Sequence, residues 1–363
     1  MRTTTFKPRT LIACAAVSCV LAACGGDDGG GGGSGGGLKP DGGPQRATVP
    51  ISQTVLSDGT TRYSIPVTIG NAPPVNAMLD TGSWGLRVLP GAVPASAYTA
   101  SATTTSYAYG AGVSLIGNNA TANLTLGSLP SAAPVPMMAI SSLACMPANP
   151  HCPASKMSID EYGIGGDGLP NEGFKAIIGV ALGFQAPAQG EGVPSPLPYF
   201  GQGQFIVSLP APGQATGTLT INPTADDLKG FTMYALKQLP TALPNGVPAW
   251  NVRQLPGCLA NTATGKSFCA PTMLDSGTGS VVVGGTASEP APPFAANDAA
   301  VFSVSGPNGT VKSPAFTVAA SGITHVASQT AATAQMVAGV MPYLYFDVYY
   351  DATNGQIGLR PKS

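Results

Sequence analysis

Charge is scarce in this chain. Of its 363 residues, 9% are Asp, Glu, Lys or Arg, and the formal net charge is -1. Nucleic-acid binding needs a basic face that attracts phosphates, so this balance excludes that class of partner. Histidine is limited to His151 and His325, and no Cys-x-x-Cys occurs. His151 adjoins Cys152, but one such pair falls short of a metal's ligand set, so no metal and no other cofactor is expected. No glycine cluster opens a helix as a phosphate loop or dinucleotide fingerprint does, and no strand runs into a Gly-x-Ser-x-Gly elbow. Long helices are missing too. Gly 48 and Pro 35 interrupt the chain throughout, and residues 330–337 are the one short helical candidate.

What is plentiful is apolar. Hydrophobic residues make up 44% of the chain and fall in short runs bounded by turn residues, the pattern of an all-β fold. Strands are expected at residues 62–70, 75–79, 122–126, 135–140, 176–180, 204–209, 217–221, 301–304, 315–319 and 343–350. Residues 107–113 read as a hairpin with glycines at its tip, and a Pro-Gly turn separates 204–209 from 217–221. The Ser/Thr/Ala-rich stretch 98–106 reads as a surface connection, and 185–198 as a Pro/Gly loop.

Residues 1–23 read as an export signal. Arg2, Lys7 and Arg9 precede an apolar segment, residues 11–23, that is too short to cross a bilayer as a mature helix. Leu21-Ala22-Ala23-Cys24 resembles the bacterial lipobox, which makes Cys24 the lipidated first residue. In such lipoproteins Gly25 after the Cys, rather than Asp, points to the outer membrane. Residues 25–37 are nearly all glycine and behave as a flexible coil. Residues 24–50 are therefore expected to be a tether and polar lead-in, holding a folded body at the bacterial cell envelope through a lipid anchor. Export suits the remaining cysteines. Cys145, Cys152, Cys258 and Cys269 form two local couples of the kind that become disulfides in an oxidising compartment, other pairings remaining open.

One six-residue pattern is written twice. Met78-Leu79-Asp80-Thr81-Gly82-Ser83 and Met273-Leu274-Asp275-Ser276-Gly277-Thr278 each read apolar, apolar, Asp, hydroxyl, Gly, hydroxyl. β-compatible residues followed by glycine make a strand that runs into a tight turn. Each Asp then stands at a strand end, and two such turns facing each other put two carboxylates side by side. An Asp in one such turn alone reads as a residue capping its own backbone. Two related copies in matching apolar context favour catalysis.

From about residue 62 to 361 the chain resembles the pepsin-like aspartic peptidases, with motifs in the family's order. Thr68-Ile69-Gly70 with Pro73 or Pro74 is similar to the opening hairpin, and Asp80 to Ser83 to the first catalytic turn. Tyr109-Gly110-Ala111-Gly112 looks like the flap, and Ile177-Ile178-Gly179 like the strand that supports the first Asp. Asp275 to Thr278 is similar to the second catalytic turn, Val337-Ala338-Gly339 to its supporting strand, and Asp351, Asn354, Gly358 and Leu359 to the closing strands. The resemblance implies a bilobal pepsin-like fold, two β-rich lobes (residues 51–225 and 226–363) with a cleft between them. It implies Asp80 and Asp275 as catalytic residues, with Thr81, Gly82, Ser83, Ser276, Gly277 and Thr278 holding them. Tyr109 and Gly110 close over a peptide or unfolded-protein substrate, and the chain works as a monomer. The chain departs from the family at Arg87, where a Trp usually bonds the flap Tyr, and at Ala338, usually Leu or Val. The part after Asp275 is shorter than usual, and no separate prosegment is expected between Cys24 and Arg62.

Two carboxylates within hydrogen-bond distance share one proton and titrate as a unit. In that state one Asp takes a proton from water while the other donates to the scissile carbonyl, and the sequence leaves open which does which. The low charge points to apolar subsites. A cation at Arg87, if aimed into the cleft, would lower a nearby carboxylate's pKa. The competing reading is a non-catalytic envelope lipoprotein that kept the fold and binds peptide or protein.

Overall fold

Apolar runs bounded by glycine and proline form strands, as their composition dictates. The computed structural model describes residues 44–166, 168–183, 193–210, 214–240, 242–243 and 246–362. The export signal, Cys24 and the glycine tether lie outside the described residues, as do most of the 185–198 loop and the Pro212-Gly213 turn. The fold is all-β and bilobal. The described strands make one 15-stranded and one 8-stranded sheet, and a single α-helical turn, Met341–Tyr345, precedes the closing strands.

Each lobe positions its Asp with the same device. Val75–Asp80 delivers Asp80 and Trp84–Val88 leads away from it. The later strand Ala176–Val180 slots between them, parallel to the first and antiparallel to the second, with Gly179 opposite both Asp80 and Gly85. In the other sheet Lys266–Met273 leads towards Asp275 and Val281–Gly285 leads away. Gln335–Val337 slots between them in the same two senses, with Val337 opposite Met273 and Val282. A wedge strand that pairs with both arms holds each turn rigid from below.

The closing strands Phe346–Asp351 and Gln356–Pro361 join the larger sheet beside Gln204–Ser208. Asp351 caps the turn between them, accepting from the backbone N–H of Thr353 and Asn354, both at 2.9 Å. Phe205 stacks on Tyr350 with centroids 4.9 Å apart, sealing the junction. Fully burying side chains of this size contributes about 1.5–3 kcal/mol each.

Four expectations are corrected. Residues 98–106 are not a surface connection: Thr99–Ala108 is an edge strand paired with Val113–Ala122, most of its polar residues facing water and Thr105 buried. Residues 330–337 form no helix: Val326–Thr330 and Gln335–Val337 are strands, because pairing inside the second lobe overrides a weak helical pattern. Residues 343–350 are not one strand: Pro342 opens the Met341–Tyr345 helical turn, where its fixed φ is already suitable. Residues 47–50 belong to no lead-in: Ala47–Val55 is a strand that buries Ala47, Val49 and Ile51 in alternation. The two cysteine couples are disulfides, Cys145–Cys152 and Cys258–Cys269.

Candidate active site

The two Asp turns are built alike. Gly82 N–H donates to Asp80 Oδ1 at 2.8 Å, and Ser83 Oγ donates to Oδ2 at 2.5 Å. Gly277 N–H donates to Asp275 Oδ1 at 2.8 Å, and Thr278 Oγ1 donates to Oδ2 at 2.7 Å. The turns face each other closely enough that glycine is required in both. A Cβ on Gly82 would fall 2.3 Å from Asp275 Cγ, and one on Gly277 would fall 2.7 Å from Asp80 Oδ1. Asp80 and Asp275 therefore meet, one from each lobe.

Beneath them the lobes are clasped. Thr81 N–H donates to Ser276 Oγ at 3.1 Å, and Ser276 N–H donates to Thr81 Oγ1 at 2.9 Å. Each hydroxyl then donates to a backbone carbonyl of the opposite lobe, Thr81 to Leu274 at 3.1 Å and Ser276 to Leu79 at 2.7 Å. With its proton given to Leu274, Thr81 Oγ1 accepts from the Tyr343 hydroxyl at 2.7 Å, and Tyr343 accepts from Tyr350 at 2.5 Å. Tyr343 and Tyr350 were not singled out from sequence. As aromatics in an apolar run they read only as core.

The two carboxyls differ in surroundings. Asp80 is 4% exposed, whereas Asp275 is half-buried and opens to the cleft. Burial pushes the Asp80 carboxyl up to about 7, helped by the Asp275 charge and opposed by the Ser83 and Gly82 hydrogen bonds. The cleft above encloses about 1110 Å³ and is lined by both turns, the flap hairpin and Trp250. Among the described residues no group of three His, Cys, Asp or Glu is placed to hold a metal.

Tyr109 starts the hairpin tip, where Gly112 N–H donates to its carbonyl at 2.9 Å. Its ring is half-buried and its hydroxyl lies beside Ser83 and 3.5 Å from Arg87 Nη1. Gly110 at the tip is exposed. The disulfide loop 145–152 straps this tip: Met146 N–H donates to Gly112 O at 2.8 Å and Asn149 Nδ2 to Ala111 O at 3.0 Å. Arg87 does not point into the cleft. It is 2% exposed, donates to the Trp84 carbonyl and lays its guanidinium 3.5 Å over the Tyr107 ring. Arg87 thus braces the flap from below, where the family's Trp would bond it, and the Asp80 carboxyl moves up rather than down.

No protein-family model matches the chain, and no curated protein sequence matches it. A solved structure does. The aspartic proteinase from Irpex lacteus shares 17% identity and superposes with a TM-score of 0.57, over 88% of this chain and 98% of that one. At that identity the likeness is one of fold: the architecture here is that of a pepsin-like aspartic proteinase.

Proposed function

We propose that this protein is an aspartic endopeptidase, tethered to the bacterial envelope through Cys24. One observation carries the catalytic reading: two carboxyls from duplicated turns meet on a cleft floor, each held by its own glycine N–H and hydroxyl. Such a pair holds one proton between its members, and burial favours the proton on Asp80. A water bound across the pair loses a proton to the ionised carboxylate as it attacks the scissile carbonyl. The protonated carboxyl gives its proton to the carbonyl oxygen. The resulting diol collapses as a proton passes to the leaving nitrogen, releasing a carboxylic acid and an amine and restoring the shared proton. The cleft takes the substrate as an extended strand, and Tyr109 closes over it to keep bulk water out.

The test is digestion of an unfolded protein by the full chain from acidic to mildly alkaline pH. Fragments are expected below neutrality, with the rate falling as pH rises through about 7, where Asp80 loses its proton. A peptide carrying a secondary alcohol in place of the scissile amide is expected to inhibit, since it mimics the diol. Peptide binding without cleavage at any pH would favour the binding lipoprotein instead. For the tether, Cys24→Ser is expected to shift the chain from the membrane to the soluble fraction, and retention in the membrane fraction would overturn lipid anchoring at Cys24.

A further inference from the structure

We infer that the cleft selects peptides bearing an acidic side chain, and that Arg62 is the residue that reads it. The inference rests on the endopeptidase reading and adds its substrate class. Arg62 lines the cleft and is half-buried. Its Nε donates to Gly165 O at 2.9 Å and its Nη1 to Thr61 O at 3.4 Å. Nη1 also lies against the second Asp turn, 2.9 Å from where a Cβ on Gly279 would sit. The ion pairs among the described residues are Arg46–Asp227, Lys229–Asp226 and Arg360–Asp347, and Arg62 belongs to none. Asp58, Asp275 and Asp80 act on it only from a distance.

A guanidinium partly withdrawn from water, bonded to two backbone carbonyls but to no carboxylate, has its charge only partly compensated. Its planar donors fit a carboxylate in two-pronged fashion. The charge balance of the cleft points the same way. Its described lining carries Arg62 and Arg253 against Asp80 and Asp275, which hold one negative charge when they share a proton. Arg253 is exposed and close enough to Tyr107 to act on its hydroxyl. In a chain only 9% charged, this excess of positive charge at the site is not background, and it revises the expectation of purely apolar subsites.

The test uses matched peptides, Glu against Gln, walked through each position on both sides of a bond the protein cuts. At the position facing Arg62, Glu is expected to raise kcat/KM about 10-fold over Gln. Cysteic acid there should keep the advantage at pH values where Glu is protonated. In Arg62→Gln the Glu/Gln ratio should fall to about 1, and in Arg62→Lys it should keep its direction; the ratio within each variant cancels any general change in activity. A ratio of about 1 at every position in the wild type, or a preference unchanged in Arg62→Gln, overturns the inference. If no peptide is cut, the endopeptidase reading fails on its own, and the same pairs are compared by fluorescence anisotropy. Tighter binding of the Glu peptide, lost in Arg62→Gln, then upholds the acid site, and equal binding overturns it. Should Arg62→Gln not fold, the wild-type preference is followed from about 0.05 to 0.5 M salt: a decline upholds a charge contact and a flat response overturns it.

Discussion

Asp80→Asn and Asp275→Asn are each expected to lower kcat at pH 5 by about 1,000-fold, with peptide affinity nearly unchanged. Asn can still accept from the Gly82 or Gly277 N–H through its amide oxygen, and its amide nitrogen can donate to the Ser83 or Thr278 hydroxyl, which turns to accept, so each turn keeps its shape. It can neither take a proton from water nor give one to a carbonyl oxygen. Loss confined to kcat separates chemistry from binding, and residual activity within about 10-fold of wild type in either variant would sink the dyad mechanism. Asp80→Asn carries a second expectation of opposite sign. The unfolded carboxyl titrates near 3.9, whereas in the folded chain burial raises it to about 7. Between those values the folded state binds more protons, so its stability falls as pH rises from about 4 to 7. Above that window wild type holds a buried charge that Asn does not carry. The inactive Asp80→Asn is therefore expected to melt higher than wild type at pH 8 and to show a flatter melting temperature across that window.

The parts of this site that sequence reveals are those with a local signature. Each Asp-hydroxyl-Gly-hydroxyl turn is four consecutive residues, and each disulfide joins cysteines only 7 or 11 positions apart along the chain. The hairpin at Tyr109 announces itself through its glycines. The clasp is different. Thr81 and Ser276 are 195 residues apart, and nothing in either turn says that its hydroxyl reaches the other's backbone. Thr99–Ala108 was hidden for a related reason: its Thr-rich face looks like a linker until Val113–Ala122 is placed beside it. Arg87 stood out in sequence only as a missing Trp, and the Tyr107 ring that holds it lies on a different strand. Arg62 was hidden inside a regular strand pattern, since alternation describes a backbone and not what the end of a long side chain meets. Short-range chemistry is legible and cross-lobe chemistry is not, because the second depends on which surfaces the fold presses together.

The clasp is where a single substitution should cost the most stability. Thr81→Val keeps volume and branching but removes Oγ1, which serves three partners at once. Ser276 N–H loses its acceptor, the Leu274 carbonyl loses its donor, and Tyr343 loses the acceptor that fixes the Tyr350–Tyr343 chain. All of this is dry: Thr81 is 1% exposed, and Ser276 and Tyr343 are 0%. Burial pushes the Tyr343 hydroxyl well above its ordinary pKa, so it remains a proton donor at any working pH and cannot escape by ionising. Each buried group left unpaired costs about 1–3 kcal/mol, which puts Thr81→Val, with three such groups, at about 3–9 kcal/mol. That is a large share of a typical stability of about 5–15 kcal/mol. Thr81→Ser retains the hydroxyl and is expected to lose about 1 kcal/mol, the value of a buried methyl. Tyr343→Phe leaves the Thr81–Ser276 bonds intact and orphans only the Tyr350 hydroxyl, so about 1–3 kcal/mol is expected. Urea unfolding at pH 5, with all three changes in an Asp80→Asn background to prevent self-digestion, ranks them. If Thr81→Val unfolds within about 1 kcal/mol of its parent, the lobes are joined mainly by the continuous strands of the larger sheet, and the clasp serves only to aim the carboxyls.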